Sequence, residues 1–192
     1  MVSVLVVDDH PALRAGLTQL LTQEPGYRLL DAVSNEAALA VALRRERPDV
    51  VVMDYALTHG DGLSACFRLK QRSRPPGVVL YSAYVDDVFA VPATLAQADA
   101  IVSKSAPVED LLDAINAVAA GEAELPSPDP EAIEASSARL RVEDLPIVGM
   151  LFARVQVHDI AATLDVAPSD VRARALRIIG EMQAQDRLHA IV

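Results

Sequence analysis

The chain of 192 residues has a single cysteine, no tryptophan and only 4% aromatic residues. A lone Cys66 excludes an internal disulfide framework, and its place among the apolar positions 63, 66, 67 and 69 predicts a buried, inert thiol on a helix. No run of 18 apolar residues occurs, so nothing reads as a membrane span. Met1–Val7 is too short for a secretory leader and runs straight into acid, so a cytoplasmic protein without membrane attachment is expected. Hydrophobic residues make up 52% of the chain, ample for buried cores, and the length is comfortable for two domains.

Short apolar runs end, one after another, on polar residues. Val4–Val7 leads into Asp8 and Asp9, Val50–Met53 into Asp54, Val78–Tyr81 into Ser82, and Ile101-Val102 precedes Lys104. Buried parallel strands would deliver all five to one sheet edge, where open α/β sheets bind their ligands. Taken singly, such residues are ordinary loop starters; together they place three carboxylates, a hydroxyl and an ammonium in one pocket. Clustered carboxylates call for a cation, and Mg²⁺, a small hard ion that also holds phosphate, suits them. Asp54, alone on the central strand, is the candidate nucleophile toward a phosphoryl group, giving an aspartyl phosphate. Lys104 and Ser82 would then contact phosphoryl oxygens. His10, beside the acidic pair, offers a metal ligand as one reading, but packing in its loop is expected instead, because Mg²⁺ prefers oxygen.

The residues Val6-Val7-Asp8-Asp9-His10-Pro11, Val52-Met53-Asp54, Asp61-Gly62-Leu63, Tyr81-Ser82-Ala83 and Val102-Ser103-Lys104 resemble the receiver domain of two-component response regulators of the NarL/FixJ type, over residues 1–122. The resemblance implies phosphorylation of Asp54 by a sensor histidine kinase, with Asp9, Asp54 and the Ala56 backbone carbonyl on Mg²⁺, Asp8 acting through water, and Ser82 and Lys104 sensing the phosphate. No dedicated turnover enzyme is implied. Thr58, Ile101 and Ser105 depart from the family's usual residues. Ile101 removes the usual signalling aromatic, for which Tyr84 is a possible substitute.

Periodicity predicts strands near 2–7, 28–33, 49–53, 77–82 and 99–102, and helices near 11–23, 35–46, 62–72, 86–96 and 107–120. Pro11 suits a helix first turn, Ser34 a helix N-cap, and Gly121 a helix stop. Five such βα units make an α/β, doubly wound, five-stranded parallel sheet of the flavodoxin-like kind. Residues 123–138, with Pro126, Pro128 and Pro130 among acidic residues, read as a semi-rigid linker. Residues 139–192 read as a smaller all-α domain: Leu145, Val148, Leu151 and Phe152 share helical spacing, Ile160, Ala161 and Leu164 a second helix, and Val171, Ala175, Ile178 and Met182 a third.

Asp159-Ile160-Ala161 through Leu164, Val166, Val171-Arg172 and Arg177-Ile178-Ile179 resemble the LuxR-like helix-turn-helix output domain. That resemblance implies a recognition helix over Val171–Met182 in the DNA major groove, with Arg172, Arg174, Leu176 and Arg177 as candidate contacts. Asp165 stands where the family usually has glycine, and Asp170 where it has threonine. Seven arginines meet seven carboxylates in 139–192, a net charge of zero, whereas DNA affinity is largely electrostatic. Asp170, Arg174, Arg177 and Glu181 share a helix face and can pair with one another.

The expected function is transcriptional control through DNA. The alternative is a phosphorylation-controlled protein-interaction module, and a metal-dependent phosphatase ranks below both because an Asp-x-Asp spacing is missing. A homodimer is expected through the surface of helix 86–96, strand 99–102 and helix 107–120. Asp186 is expected to cap a separate, short final helix.

Overall fold

The computed structural model describes residues 1–57, 61–83, 87–123, 125, 128, 131, 133–134 and 140–189, without the side chains of 87–88 and 183–189. Thr58, Tyr84 and most of the expected linker lie outside the described residues. The chain divides into two compact units, Met1–Val85 with Ala98–Leu125 and Asp86–Gln97 with Pro126–Val192.

The first unit is a five-stranded parallel sheet. Its strands are β1 (Val2–Val7), β2 (Tyr27–Val33), β3 (Val50–Asp54), β4 (Gly77–Ser82) and β5 (Ala100–Ser103), in the order β2-β1-β3-β4-β5. Helices α1 (Pro11–Gln23), α2 (Glu36–Arg45), α3 (Gly62–Lys70) and α5 (Val108–Ala120) belong with it. The flavodoxin-like fold expected from periodicity is the fold observed. Strand β3 is buried at every residue, as a central parallel strand must be when helices cover both faces. Val4, Val6, Val50, Val52 and Val79 pack with Leu17 and Leu21 of α1 and with Leu111 and Ile115 of α5. Each such side chain contributes about 1.5–3 kcal/mol by burial. Cys66 is buried and forms no disulfide.

Local signals set the ends. Pro11 opens α1, and Gly121 closes α5 in the left-handed region at φ 72°. The cap of α2 is Asn35 rather than Ser34. The Asn35 side chain accepts from the Ala38 N–H at 2.9 Å, the reach an N-cap makes to N3, while Ser34 Oγ only accepts from Asn35 Nδ2.

In the second unit a short 3₁₀ turn (Val142–Asp144) leads into α6 (Leu145–Phe152), followed by α7 (Val157–Leu164) and α8 (Pro168–His189). Helix α4 (Asp87–Leu95), which the chain places between β4 and β5, packs here against α6 and α8. Val148, Leu151, Ile160, Val171, Ala175, Ile178 and Met182 are buried as their spacing predicts; Leu145, however, is 41% exposed, and Ile147 takes a core place instead.

One expectation is corrected. Helix α8 runs unbroken through Asp186, since residues 181–189 hold neither glycine nor proline to stop it, so no separate final helix forms. Along α4, Phe89, Ala90, Val91, Ala93 and Leu95 are all buried, as befits a helix apolar nearly all round.

Candidate functional site

The register of β1 against β3 sets Val7 opposite Met53, so the residues that follow, Asp8 and Asp54, emerge side by side. Strands β4 and β5 pair Ser82 with Ser103, and the Lys104 N–H donates to the Ser82 carbonyl at 2.7 Å, which brings Lys104 and Ser82 to the same edge. Asp8, Asp54 and Ser82 are almost fully buried. The five residues singled out by the apolar runs are thus brought together.

Lys104 Nζ lies 2.9 Å from Asp8 Oδ2 and 2.8 Å from Asp54 Oδ2, and 5.9 Å from the centre of the Tyr81 ring. Burial pulls the Lys104 ammonium toward neutrality, but the hydrogen bonds and charges of Asp54 and Asp8 together outweigh it and hold the ammonium above its usual range. Burial also pushes the Tyr81 hydroxyl upward. The Ala56 N–H donates to Asp54 Oδ1 at 3.1 Å, fixing the loop whose carbonyl is the expected ligand.

Further contacts anchor the acidic loop. The His10 N–H donates to Asp8 Oδ1 and Arg14 Nη1 donates to the Asp8 carbonyl, each at 2.7 Å. At the start of α3, Asp61 Oδ1 accepts from the Leu63 N–H at 3.0 Å, capping the helix. Gly62 lies so close to β3 that an added Cβ would stand 2.2 Å from the Asp54 carbonyl oxygen. Only glycine permits that approach, which explains the Asp-Gly pair.

His10 is not packed in its loop. Its side chain is 66% exposed, with Nδ1 2.9 Å from Asp9 Oδ1. Asp8, Asp9, His10 and Asp54 each offer a ligand atom, all within 4.8 Å of one another, a spacing one metal ion can bridge. The three carboxylates supply the hard oxygen donors that Mg²⁺ requires.

The candidate DNA-reading residues lie on α8. Arg172 and Arg174 are exposed, and Leu176 is half-buried. Arg177 is engaged within its own unit: it donates to the buried Asp144 through a very short contact, and Nη1 donates to both Glu181 oxygens at 2.9 and 3.0 Å. Those bonds hold its guanidinium above its ordinary pKa. The expected Arg177–Glu181 pair forms, whereas no ion pair joins Asp170 to Arg174 among the described residues, as exposed pairs gain little in water. Asp144 was missed because one carboxylate before an apolar stretch carries no periodic signal. Asp165 closes α7 at φ 53°, ψ 47°, the strained position where a glycine fits best.

The response regulator receiver domain family matches residues 4–116. The DNA-binding transcriptional activator DevR/DosR of Mycobacterium tuberculosis is 29% identical over 100% of this chain and 93% of its own length. The nitrate/nitrite response regulator NarL of Escherichia coli K12 is 26% identical over 99% of this chain and 93% of its own. A LuxR-family two-component response regulator from Aurantimonas sp. SI85-9A1 superposes with a TM-score of 0.59 at 31% identity, over 71% of this chain and 99% of that one. RcsB of Salmonella enterica serovar Typhimurium, bound to promoter rprA, superposes at 0.57 over 94% and 93%; at 19% identity this likeness shows the fold alone. No described helix is long and apolar enough to cross a membrane.

Proposed function

Because the chain belongs to the response regulator receiver domain family, we propose that it is a two-component response regulator that accepts phosphate on Asp54 from a sensor histidine kinase and controls transcription through DNA. The observation that carries this reading is the Asp54 carboxylate, buried at the end of β3, 2.8 Å from Lys104 and within bridging distance of Asp8 and Asp9. Mg²⁺ would sit on Asp9, Asp54 and the Ala56 carbonyl with Asp8 behind water, and would neutralise the incoming phosphoryl group. Lys104 supplies the fixed positive charge, and Ser82 the hydroxyl that registers the product. The chain acts in this reading as a stoichiometric phosphate acceptor. Its receiver is residues 1–122, its linker 123–138 and its output domain 139–192, the last with α4 added to its core.

The DNA step draws on the relatives' names and on the α7–α8 pair, with Arg172 and Arg174 on the exposed side. One observation favours the protein-interaction alternative: Arg177 is spent on Asp144 and Glu181 rather than left for phosphates. The two readings separate by salt. Each phosphate neutralised contributes about −0.9 to the slope of log affinity against log salt. With Arg172 and Arg174 available, one protomer should neutralise on the order of two phosphates. A phosphorylated chain with no salt-dependent DNA binding would leave the interaction module.

The acceptor step is tested by incubating the full chain with a small phosphodonor and Mg²⁺. Acid-labile label should appear in the wild type and vanish in Asp54→Asn. Label that survives the substitution sinks the assignment.

A further inference from the structure

Each crossover of a parallel sheet returns the chain to the amino edge of the strands, opposite the edge that holds Asp54. Strands β3 and β4 are neighbours, with Val50 opposite Gly77 and the Gly77 N–H donating to the Asp49 carbonyl at 2.9 Å, so the segments that lead into them meet there. Residues 44–49 and 68–76, the last turns of α2 and α3 with the connections that follow, carry seven of the chain's 17 cations and two of its 27 carboxylates. A chain of net charge −10 thus has one basic edge. Four of these charges are accounted for locally: Arg68 donates to both Glu36 oxygens at 2.6 and 2.8 Å, Lys70 Nζ lies 2.8 Å from Asp99 Oδ2, Glu46 lies 3.9 Å from Arg28, and Asp49 accepts from the Ser3 hydroxyl at 2.6 Å. The other five, Arg44, Arg45, Arg47, Arg72 and Arg74, are exposed and form no ion pair among the described residues.

Helix dipoles favour cations in the last turn, which covers Arg44 and Arg45, but the effect fades beyond it and leaves Arg47, Arg72 and Arg74 without that reason. Like charges held together repel, and an anionic partner relieves them. All five are arginine, whose planar fork bonds phosphate in pairs. A protein partner calls for an apolar anchor, and the two segments expose no large apolar side chain; Val41, one turn ahead on α2, is the one such residue exposed on either helix. We propose that this edge is a second nucleic-acid surface, which grips the phosphate backbone of duplex DNA without reading sequence, through Arg44, Arg45, Arg47, Arg72 and Arg74. DNA as the polyanion rests on the transcriptional reading; the contact itself needs neither Asp54 chemistry nor α8, so each can fail alone.

Fluorescence anisotropy of a labelled random-sequence duplex, titrated with the unphosphorylated full chain at graded salt, gives the slope of log affinity against log salt. The five arginines should neutralise on the order of three to five phosphates at about 0.9 each, beyond those met by α8. Replacing all five by alanine should therefore flatten the slope by roughly 3–4, while Arg172→Ala combined with Arg174→Ala should leave that part standing. Replacing all five by lysine should keep the slope within about one, since charge sets it. Arg47→Ala and Arg74→Ala alone should each remove about 0.9, which keeps the proposal refutable should the fivefold change unfold the domain. Labelling of Asp54 should be equal in all the variants of this edge. The proposal is overturned by a wild-type chain that binds no duplex at low salt, or by a fivefold alanine variant, folded by circular dichroism, that keeps the wild-type slope. It is overturned equally if polyglutamate of matched charge competes as well as unlabelled duplex, which would assign the edge to an acidic protein.

Discussion

Arg177 decides whether α8 spends its charge on DNA or on its own unit, and the structure makes the answer measurable. Asp144 is 1% exposed, whereas the Arg177 side chain is 30% exposed and holds Glu181 as well. The two ends of the pair should therefore respond unequally. Arg177→Ala strands a buried carboxylate, which costs about 3–5 kcal/mol when nothing replaces the cation. Asp144→Ala leaves a guanidinium that still has Glu181 and water, so only a charge-assisted hydrogen bond is lost, about 1.5–3 kcal/mol. The double substitution should cost less than the two singles added, because the stranded charge is gone. Urea unfolding followed by far-ultraviolet circular dichroism, with amide exchange in α6 and α8 to localise the effect, gives the three values. The salt slope of DNA binding should stay the same in Arg177→Ala wherever the variant is folded. If Asp144→Ala costs as much as Arg177→Ala, or if Arg177→Ala is stable and flattens the salt slope by about 0.9, Arg177 faces phosphates and the reasoning is wrong.

Other outcomes follow from single residues. Asp170→Thr should tighten DNA binding and steepen its salt slope by removing a carboxylate from the first turn of α8, and Arg172→Ala should do the reverse; mobility shifts at graded salt decide. Asp165→Gly should stabilise the second unit by about 1 kcal/mol, since the left-handed conformation costs a side chain roughly 1–2 kcal/mol; an unchanged melting midpoint would argue against strain there. Asp49 accepts from the Ser3 hydroxyl and N–H, and those bonds hold its carboxyl below the usual range. Its contribution is therefore present above pH ~4 and lost as pH falls through its folded value, so Asp49→Asn should flatten the acid limb of a stability–pH profile. The 138–192 fragment should show little helix alone and regain it only when Asp86–Gln97 is fused back; a folded bare fragment would refute the role given to α4.

The first unit was nearly all legible because its signals are local and redundant. Each strand is a short apolar run, and each functional residue is placed by strand length alone, so Asp8, Asp54, Ser82 and Lys104 fell to one edge without any side-chain detail. His10 was misjudged for the opposite reason, since nothing in Asp-Asp-His-Pro says which way an imidazole turns. The helix-turn-helix pattern was visible in Ile160, Leu164 and Val171, yet the Asp144–Arg177 pair spans 33 positions and has no periodic trace. Helix α4 is legible as a helix and Phe89-Ala90-Val91-Pro92-Ala93 as an apolar run, yet nothing in that run says that α6 and α8 pack on it.

That helix makes the two units interleaved in the chain rather than serial. The polypeptide leaves the first unit after Val85, returns at Ala98 and leaves again after Leu125. During synthesis the side of α4 that α6 and α8 cover stays bare until α8 has emerged. From Leu95 to Met182 is 87 residues, roughly 4–17 s at about 5–20 residues per second. For that interval an almost wholly apolar helix has no partner of its own unit, which makes the half-made chain a natural client for holding chaperones. It also bars simple module exchange: a foreign output domain grafted after residue 122 arrives without the helix that completes this one.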